Sequence, residues 1–236
     1  ILIARLVKKM RLKMAVLVGN GDVFCRMYNS KKERNESFMI VKVLSATAIV
    51  LFSVTLIKKA KQVKRNKEQT NYLLRGNKTK RTKMIELFVL LSNYPLLILW
   101  FLYIMDWIPI EIVSIGIIFE IIGLNCLYLG VGIYYTALRD LGAHWSIGIK
   151  ESRFASFVSS GIYQICRHPA YFGFILMYVG IGLLYIHLFT ALMVALSILS
   201  LYLLATEEEV YLQEKFPDEY PKYKERTSKI VPFIKK

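Results

Sequence analysis

The stretch Gly161-Ile-Tyr-Gln-Ile-Cys-Arg-His-Pro-Ala-Tyr-Phe-Gly173 lies between a polar segment and one of the longest apolar runs of the chain. Pro169 lacks a backbone N–H and has a fixed φ, which suits the first position of a helix. Because the residue before a proline prefers extended geometry, we expect His168 at the mouth of that helix. Free N–H groups and the positive end of the helix dipole favour an anion there. An ordinary helix start at a membrane interface, with an extended Arg167, is the alternative interpretation.

The composition of the chain predicts an all-α integral membrane protein. Its 236 residues are 55% hydrophobic, the mean hydropathy is +0.42, and the apolar residues cluster in long runs, unlike those of ordinary soluble domains. The net charge is +15. Because the basic residues lie beside the apolar runs, we expect them to meet anionic membrane lipids and not nucleic acid. The oligomeric state has no signature in the sequence.

Apolar segments of roughly the length that a bilayer requires predict about five transmembrane helices. The last apolar run, 169–205, is too long for one span and predicts a C-terminal helical hairpin. The connection 58–83 is rich in Lys and Arg and is therefore expected on the cytoplasmic side, together with a cytoplasmic C-terminal helical tail. The predicted spans are residues 37–57, 85–105, 109–138, 169–185 and 188–205.

This pattern divides the chain into three regions. Residues 1–36 form a basic N-terminal tail that we expect to be peripheral or disordered. Residues 37–137 hold transmembrane helices 1–3 and the basic loop 58–83, and residues 138–236 hold the polar motifs, the hairpin and a C-terminal helix. The functional residues are therefore expected in the last region.

Three consecutive acids follow the hairpin, at Glu207, Glu208 and Glu209. Carboxylates near apolar surroundings are costly unless a cation meets them. Arg167 or a positively charged ligand is the candidate partner, whereas Glu207 is expected to be solvated in the first turn outside the membrane. The hairpin returns the chain to the side it left, so Glu208 and Glu209 should approach Arg167 and His168.

The other chemistry-bearing residues lie apart from one another. The three cysteines and three histidines have no metal-ligand spacing, so we expect no metal site. Cys166 is interpreted as a packing residue, with a reactive thiol as the alternative. Glu120 lies inside the third predicted span, where either a functional role or a hydrogen bond between helices fits an intramembrane carboxylate.

Taken together, these motifs resemble those of the isoprenylcysteine carboxyl methyltransferase family and, more loosely, those of phospholipid N-methyltransferases. The resemblance covers about residues 138–234. It implies S-adenosylmethionine bound at the cytoplasmic membrane face, and a lipophilic methyl acceptor that reaches in from the bilayer. The matching residues are Leu141-Gly142-x-x-Trp145-Ser146, Gly161-x-Tyr163-x-x-x-Arg167-His168-Pro169-x-Tyr171-x-Gly173, Glu208-Glu209, Leu212, Phe216, Tyr220, Tyr223 and Pro232.

The resemblance also implies roles for particular residues. His168, Tyr171 and the helix start after Pro169 would hold the methionine carboxylate of the cofactor, and the two acids would hold its ribose hydroxyls or amino group. The implied catalytic residues are Arg167, Glu208 and Glu209. The implied cofactor-binding residues are Trp145, Gly161, Tyr163, His168, Pro169, Tyr171, Glu208 and Glu209.

Two departures from the family pattern leave the acceptor open. Pro217 stands where family members often have glycine, and Leu204-Ala-Thr206 stands where an arginine often precedes the acidic pair. Membrane sterol reductases share the Arg-His-Pro-x-Tyr-x-Gly hairpin but use NADPH, and a non-catalytic membrane scaffold is a further alternative. The acidic helix with its Phe and Tyr spacing favours the methyltransferase.

Overall fold

The structure is a computed structural model that describes residues 21–65, 73–76, 78–107, 116–146, 148–149 and 157–234. The chain divides into two units, Ile1–Val43 and Leu44–Lys236. In the first unit the backbone is helical from Gly21 onward. Residues 1–20, which make up much of the predicted N-terminal tail, lie outside the described residues. All the features below belong to the second unit unless stated otherwise.

Helices and short turns account for the regular structure of the described residues, which contain no strand, and this all-α architecture confirms the predicted fold class. A single isolated backbone bridge joins Cys166 to Ser228 within them. Two 3₁₀ turns, Gly142–His144 and Gly161–Gln164, flank the crossing between the third and fourth helices. The helices are α1 (Gly21–Arg65), α2 (Lys80–Ile104), α3 (Ile117–Leu141), α4 (Pro169–Leu184), α5 (Leu188–Lys215) and α6 (Tyr220–Arg226).

Within the described residues, four helical segments are long and apolar enough to cross a membrane, and α4 is a shorter apolar helix of 16 residues. Large apolar side chains such as Leu91, Ile98 and Ile118 are exposed on these helices. Exposed apolar surface of this kind suits lipid contact. The protein is therefore a multi-pass membrane protein with four to five spans. The four long segments are Phe38–Arg65, Lys80–Ile104, Ile117–His144 and Leu188–Lys215.

The long helices continue beyond the ends of their apolar runs. α1 reaches Arg65, α2 begins at Lys80, α3 reaches Leu141 and α5 reaches Lys215, whereas the apolar runs predict ends at 57, 85, 138 and 205. Lys, Arg and Glu are good helix formers, so the change in polarity does not end a helix. These polar extensions all lie at the end of the helices where α4 begins, and they carry the candidate site. The predicted start of the third span at Pro109 lies outside the described residues.

Close packing of α3 against α4 depends on two glycine pairs. A Cβ at Gly130 would meet the carbonyl oxygen of Gly173 at 2.6 Å, and a Cβ at Gly180 would meet that of Gly123 at 2.7 Å. Small residues let two membrane helices approach backbone to backbone. α4 ends at Leu184 and α5 begins at Leu188, so the turn of the hairpin lies where the predicted spans 169–185 and 188–205 meet. This packing fixes the position of the Arg-His-Pro motif at the start of α4.

Candidate active site

A cavity of about 440 Å³ opens at the polar end of the helices. One part of its wall is polar and includes Trp145, Arg167, His168, Tyr171 and Glu208. Another part is apolar and is formed by side chains from α1, α2, α4 and α5. These apolar side chains are Phe52, Leu90, Leu97, Phe174 and Leu201. The arrangement suits a ligand, or a pair of ligands, with one polar and one apolar part.

Arg167 is tied into the protein by hydrogen bonds from two of its nitrogens. Its Nε donates to Oε1 of Glu209 at 2.7 Å. Its Nη1 donates to the backbone carbonyls of Lys224 at 3.0 Å and Thr227 at 2.5 Å. The residue is only 5% exposed. Because a buried guanidinium needs such partners, this set of contacts makes Arg167 the joint between α5 and the C-terminal segment.

The backbone on either side of Arg167 is bound to the C-terminal segment as well. The N–H of Arg167 donates to the carbonyl of Ser228 at 2.8 Å, and that of His168 donates to the carbonyl of Lys229 at 3.0 Å. The N–H of Ser228 donates back to the carbonyl of Ile165. Residues just before a helix lack helical hydrogen bonds, and these bonds give their backbone N–H groups acceptors. Ser228 and Lys229 thus hold the motif against the C-terminal segment.

His168 occupies the cap position of α4, as predicted, with Pro169 at the helix start. Its ring stacks parallel on Tyr171, with 5.4 Å between the ring centroids. Nδ1 lies 3.4 Å from Oε2 of Glu208, and Nε2 lies 3.4 Å from Oε1 of Glu209. Nε2 is buried and, among the described residues, makes no well-directed hydrogen bond even to Glu209. His168 therefore keeps a buried polar atom available in the wall of the cavity.

Two opposing effects act on the pKa of His168. Burial disfavours the charged imidazolium, but the interactions with the carboxylates of Glu208 and Glu209 outweigh burial and raise the pKa above its usual value. When the imidazole is protonated, its charge adds to the positive potential of the helix N-terminus. This end of the cavity is therefore suited to an anionic group.

The three consecutive acids face three different partners, because successive residues of a helix differ by about 100° in direction. Glu207 accepts hydrogen bonds from the hydroxyl of Thr82 at 3.1 Å and from Nε of Arg81 at 2.7 Å. Glu208 accepts one from the hydroxyl of Tyr171 at 2.7 Å. Glu209 pairs with Arg167, as the sequence predicted. The expectation that Glu207 is solvated was wrong: the residue is 9% exposed, because α2 packs against this part of α5.

Of the predicted site residues, six line the cavity and three lie behind it. The lining includes Trp145, Tyr163, Arg167, His168, Tyr171 and Glu208. Gly161, Pro169 and Glu209 are not among the lining residues. Pro169 starts α4, and Glu209 supports Arg167 and His168 from behind. The structure therefore places these three where they shape the wall without forming its surface.

Gly161 has a backbone role that its sequence position did not reveal. It has a φ of +62°, and a Cβ there would collide with the carboxylate of Asp140. That carboxylate accepts a hydrogen bond from the N–H of Ile162 at 2.9 Å. Glycine is required because the left-handed backbone conformation and the close carboxylate leave no room for a side chain. The 3₁₀ turn that carries Tyr163 is thus anchored to the end of α3.

The apolar part of the cavity contains one polar junction. The hydroxyl of Tyr178 donates to Oδ1 of Asn93, and the amide of Asn93 donates to the hydroxyl of Ser200 at 3.1 Å. Ser92 also donates to Ser200, at 2.9 Å. Interhelical hydrogen bonds of this kind join α2, α4 and α5. Asn93 and Tyr178 line the cavity, and neither was singled out from the sequence.

The sequence analysis did not predict the burial of two further polar groups of this region, the carboxylate of Glu86 and the hydroxyl of Tyr220. Glu86, one turn inside α2, is 0% exposed, and the rule that marks an intramembrane carboxylate as functional would have found it. That rule was instead applied to Glu120, which is partly exposed and does not line the cavity. Tyr220 matched the family pattern, but only the structure shows that its hydroxyl is buried and has no hydrogen-bond partner among the described residues.

The fold and the site define a multi-pass helical membrane protein with a cavity that is polar at one part of its wall and apolar at another. Residues 121–214 match the model of the isoprenylcysteine carboxyl methyltransferase (ICMT) family. Over that region, this match confirms the resemblance to the family that the motifs show.

Curated relatives carry the same family name. The chain is 30% identical over 115 residues to protein-S-isoprenylcysteine O-methyltransferase B of Arabidopsis thaliana, covering 48% of this chain and 58% of the relative. It is 29% identical over 116 residues to the Mus musculus protein-S-isoprenylcysteine O-methyltransferase, covering 48% and 41%. It is 28% identical over 120 residues to the Schizosaccharomyces pombe protein of that name, and the match covers 50% of this chain and 51% of the relative. The chain thus spans about half the length of the curated relatives it matches.

Proposed function

We propose that the chain is an integral membrane S-adenosylmethionine-dependent methyltransferase that methylates the carboxylate of an isoprenylcysteine-like acceptor. The observation that carries this proposal is one cavity whose wall joins His168, Tyr171 and Glu208 to the apolar side chains of four helices. The cofactor would occupy the polar part, and the lipid part of the acceptor would occupy the apolar part. The family match over residues 121–214 supports the reaction class.

The residues of the polar part fit a cofactor of this kind. S-adenosylmethionine supplies a methyl group on a positively charged sulfur. Among the described residues, His168 Nε2 and the hydroxyl of Tyr220 are buried polar atoms without a well-directed hydrogen bond, and such atoms are rarely left unpaired unless a ligand or water completes them. The imidazolium and the first N–H groups of α4 suit a carboxylate, and Glu208 suits a hydroxyl or amino group.

Arg167 and Glu209 take a supporting role in this proposal, although the sequence suggested that they are catalytic. The two residues form an ion pair with each other and contact neighbouring groups, and Glu209 does not line the cavity. Both therefore act as positioning residues: they hold the C-terminal segment against the motif and keep His168 in place. Methyl transfer depends mainly on alignment of donor and acceptor and on exclusion of water, so rigid positioning contributes directly to rate.

The ionisation of the site favours a carboxylate acceptor over an amine. A carboxylate is already ionised at neutral pH and needs no general base, whereas an ammonium group must lose a proton before it can attack. Glu209 would be the candidate base for an amine acceptor, yet it is paired with Arg167 at 2.7 Å and has Lys224 Nζ at 3.6 Å. Glu208 already accepts a hydrogen bond from Tyr171.

We place the active site on the cytoplasmic face of the membrane. The basic segment 58–83 is expected there because short loops rich in Lys and Arg remain in the cytoplasm. Arg81, within that segment, contacts Glu207 next to the site. The site and the basic segment therefore share one end of the helices.

Transfer of labelled methyl from S-adenosylmethionine to a panel of acceptors tests the proposed function. We expect base-labile methyl ester on a farnesylated cysteine, and none on the same compound with its carboxylate amidated. Label in phosphatidylethanolamine would instead identify a phospholipid N-methyltransferase. Binding of NADPH without methyl transfer would identify a reductase-like enzyme, and the absence of both would leave a membrane scaffold.

A further inference from the structure

The buried carboxylate of Glu86 joins two segments that are far apart in sequence. Oε2 accepts a hydrogen bond from the N–H of Leu74 at 2.7 Å. Oε1 accepts one from the N–H of Ile149 at 3.0 Å and one from Nζ of Lys78 at 2.5 Å. The side chain of Glu86 is 0% exposed, and that of Lys78 is 5% exposed. Each carboxylate oxygen therefore has a partner, as a buried charge requires.

Both of these segments form part of the cavity wall. Leu73, within the basic connection 58–83, lines the cavity, as do Gly148 and Ile149 in the crossing that follows Trp145. The two segments also touch each other: a Cβ at Gly148 would meet the backbone nitrogen of Leu73 at 2.8 Å and Oε1 of Glu86 at 2.9 Å. Gly148 has a φ of +82°, so an added side chain would be strained as well as crowded.

We propose that Glu86 is a positioning residue that sets the shape of the cavity by holding residues 73–76 and Lys78 together with residues 148–149. Neither segment belongs to a helix, so the contacts of Glu86 supply what helical packing supplies elsewhere in the wall. Loss of the carboxylate leaves two backbone N–H groups and a lysine without their acceptor. The two segments then separate, and the cavity loses a defined wall.

Hydrogen exchange and ligand binding together test this role. In Glu86→Gln, one acceptor oxygen becomes an NH₂ group that repels a donor. We therefore expect exchange to accelerate about 10-fold or more at Leu74 or Ile149. Gly148→Ala separates the same segments without changing Glu86, so it should produce the same exchange pattern. Both variants should bind S-adenosylhomocysteine, or N-acetyl-S-farnesylcysteine, about 10-fold more weakly.

Glu207→Gln is the matched control, because Glu207 is also a buried carboxylate at this end of the helices. Its partners Arg81 and Thr82 do not line the cavity. This control should leave the exchange of Leu74 and Ile149 and both affinities near their wild-type values. Equal losses of affinity in Glu86→Gln and Glu207→Gln would overturn the inference, as would unchanged exchange in both Glu86→Gln and Gly148→Ala.

The expected losses of ligand affinity rest on the proposed function. Different results would show that the proposed function or the inference about Glu86 is wrong. If the wild-type chain binds neither compound, the proposed function is wrong. The exchange comparison still decides whether Glu86 holds the two segments. If the exchange rises while both affinities remain unchanged, the segments are joined by Glu86 but do not define the ligand site, and the inference is wrong.

Discussion

Arg167 and His168 are neighbours in sequence, both basic, and both buried, yet their surroundings differ. Arg167 gives its hydrogen bonds to Glu209, Lys224 and Thr227. His168 lies in the wall of the cavity near two carboxylates, and within the described part of the chain its Nε2 makes no well-directed hydrogen bond. The difference separates two tasks within one motif: Arg167 holds the structure together, and His168 faces the ligand.

The largest effect is expected from Arg167→Ala. The substitution leaves Glu209 buried without its main partner and frees two backbone carbonyls. Breaking a buried ion pair in this way costs about 3–5 kcal/mol of stability. Arg167→Lys keeps the charge but loses the fork of donors, so an intermediate loss is expected. Thermal unfolding in detergent, followed by circular dichroism, measures the change.

Arg139→Ala provides the control for that comparison, because Arg139 is an exposed arginine that pairs with Asp140. Exposed ion pairs contribute little to stability, so its unfolding temperature should remain close to that of the wild type. If Arg139→Ala lowered the unfolding temperature as much as Arg167→Ala, the unfolding temperature would not measure the contribution of the buried contacts of Arg167.

A smaller, pH-dependent effect is expected from His168. Its pKa is raised in the folded protein. The stability that the charged imidazole gains from Glu208 and Glu209 is therefore fully present below the ordinary pKa of about 6.5. It is lost as the pH rises through the raised pKa. The free energy of unfolding of wild type minus that of His168→Gln should accordingly decrease with increasing pH. A difference that is constant with pH would contradict the charged state of His168.

The smallest effect is expected from Cys166, which precedes Arg167. The residue is 1% exposed, and burial raises the pKa of its thiol to about 11. The thiolate is the reactive form, so maleimide should not label Cys166 in a folded chain in which Cys25 and Cys126 are replaced by alanine. Cys166→Ala should cost about 1 kcal/mol of packing and leave the affinity for S-adenosylhomocysteine unchanged. A 10-fold loss of affinity would instead make Cys166 part of the ligand site.

The sequence predicted the elements that depend on local pattern. Pro169 indicated the start of α4, the length of the apolar run indicated the hairpin, and the hairpin indicated that Glu209 meets Arg167. These follow from hydrophobic length and backbone chemistry. The methyltransferase family was also recognisable from the order of the motifs.

Contacts between distant segments were beyond sequence reasoning. Ser228 and Lys229 bind the motif through backbone groups, which every residue has, so no side-chain pattern marks them. Glu207 was expected to be solvated because its burial depends on how α2 packs against α5. Glu86 meets Ile149 across 63 residues of chain. In each case the partner is determined by packing and not by neighbouring sequence.

The central claim, that His168 faces the ligand while Arg167 holds the structure, is tested most directly by isothermal titration of the purified wild type and His168→Ala with S-adenosylhomocysteine. His187→Ala is the control, because His187 lies at the tip of the hairpin, where its ring accepts a hydrogen bond from the N–H of Phe189. We expect His168→Ala to bind about 10- to 100-fold more weakly, and His187→Ala to bind like the wild type. Undiminished binding by a folded His168→Ala protein would contradict the account.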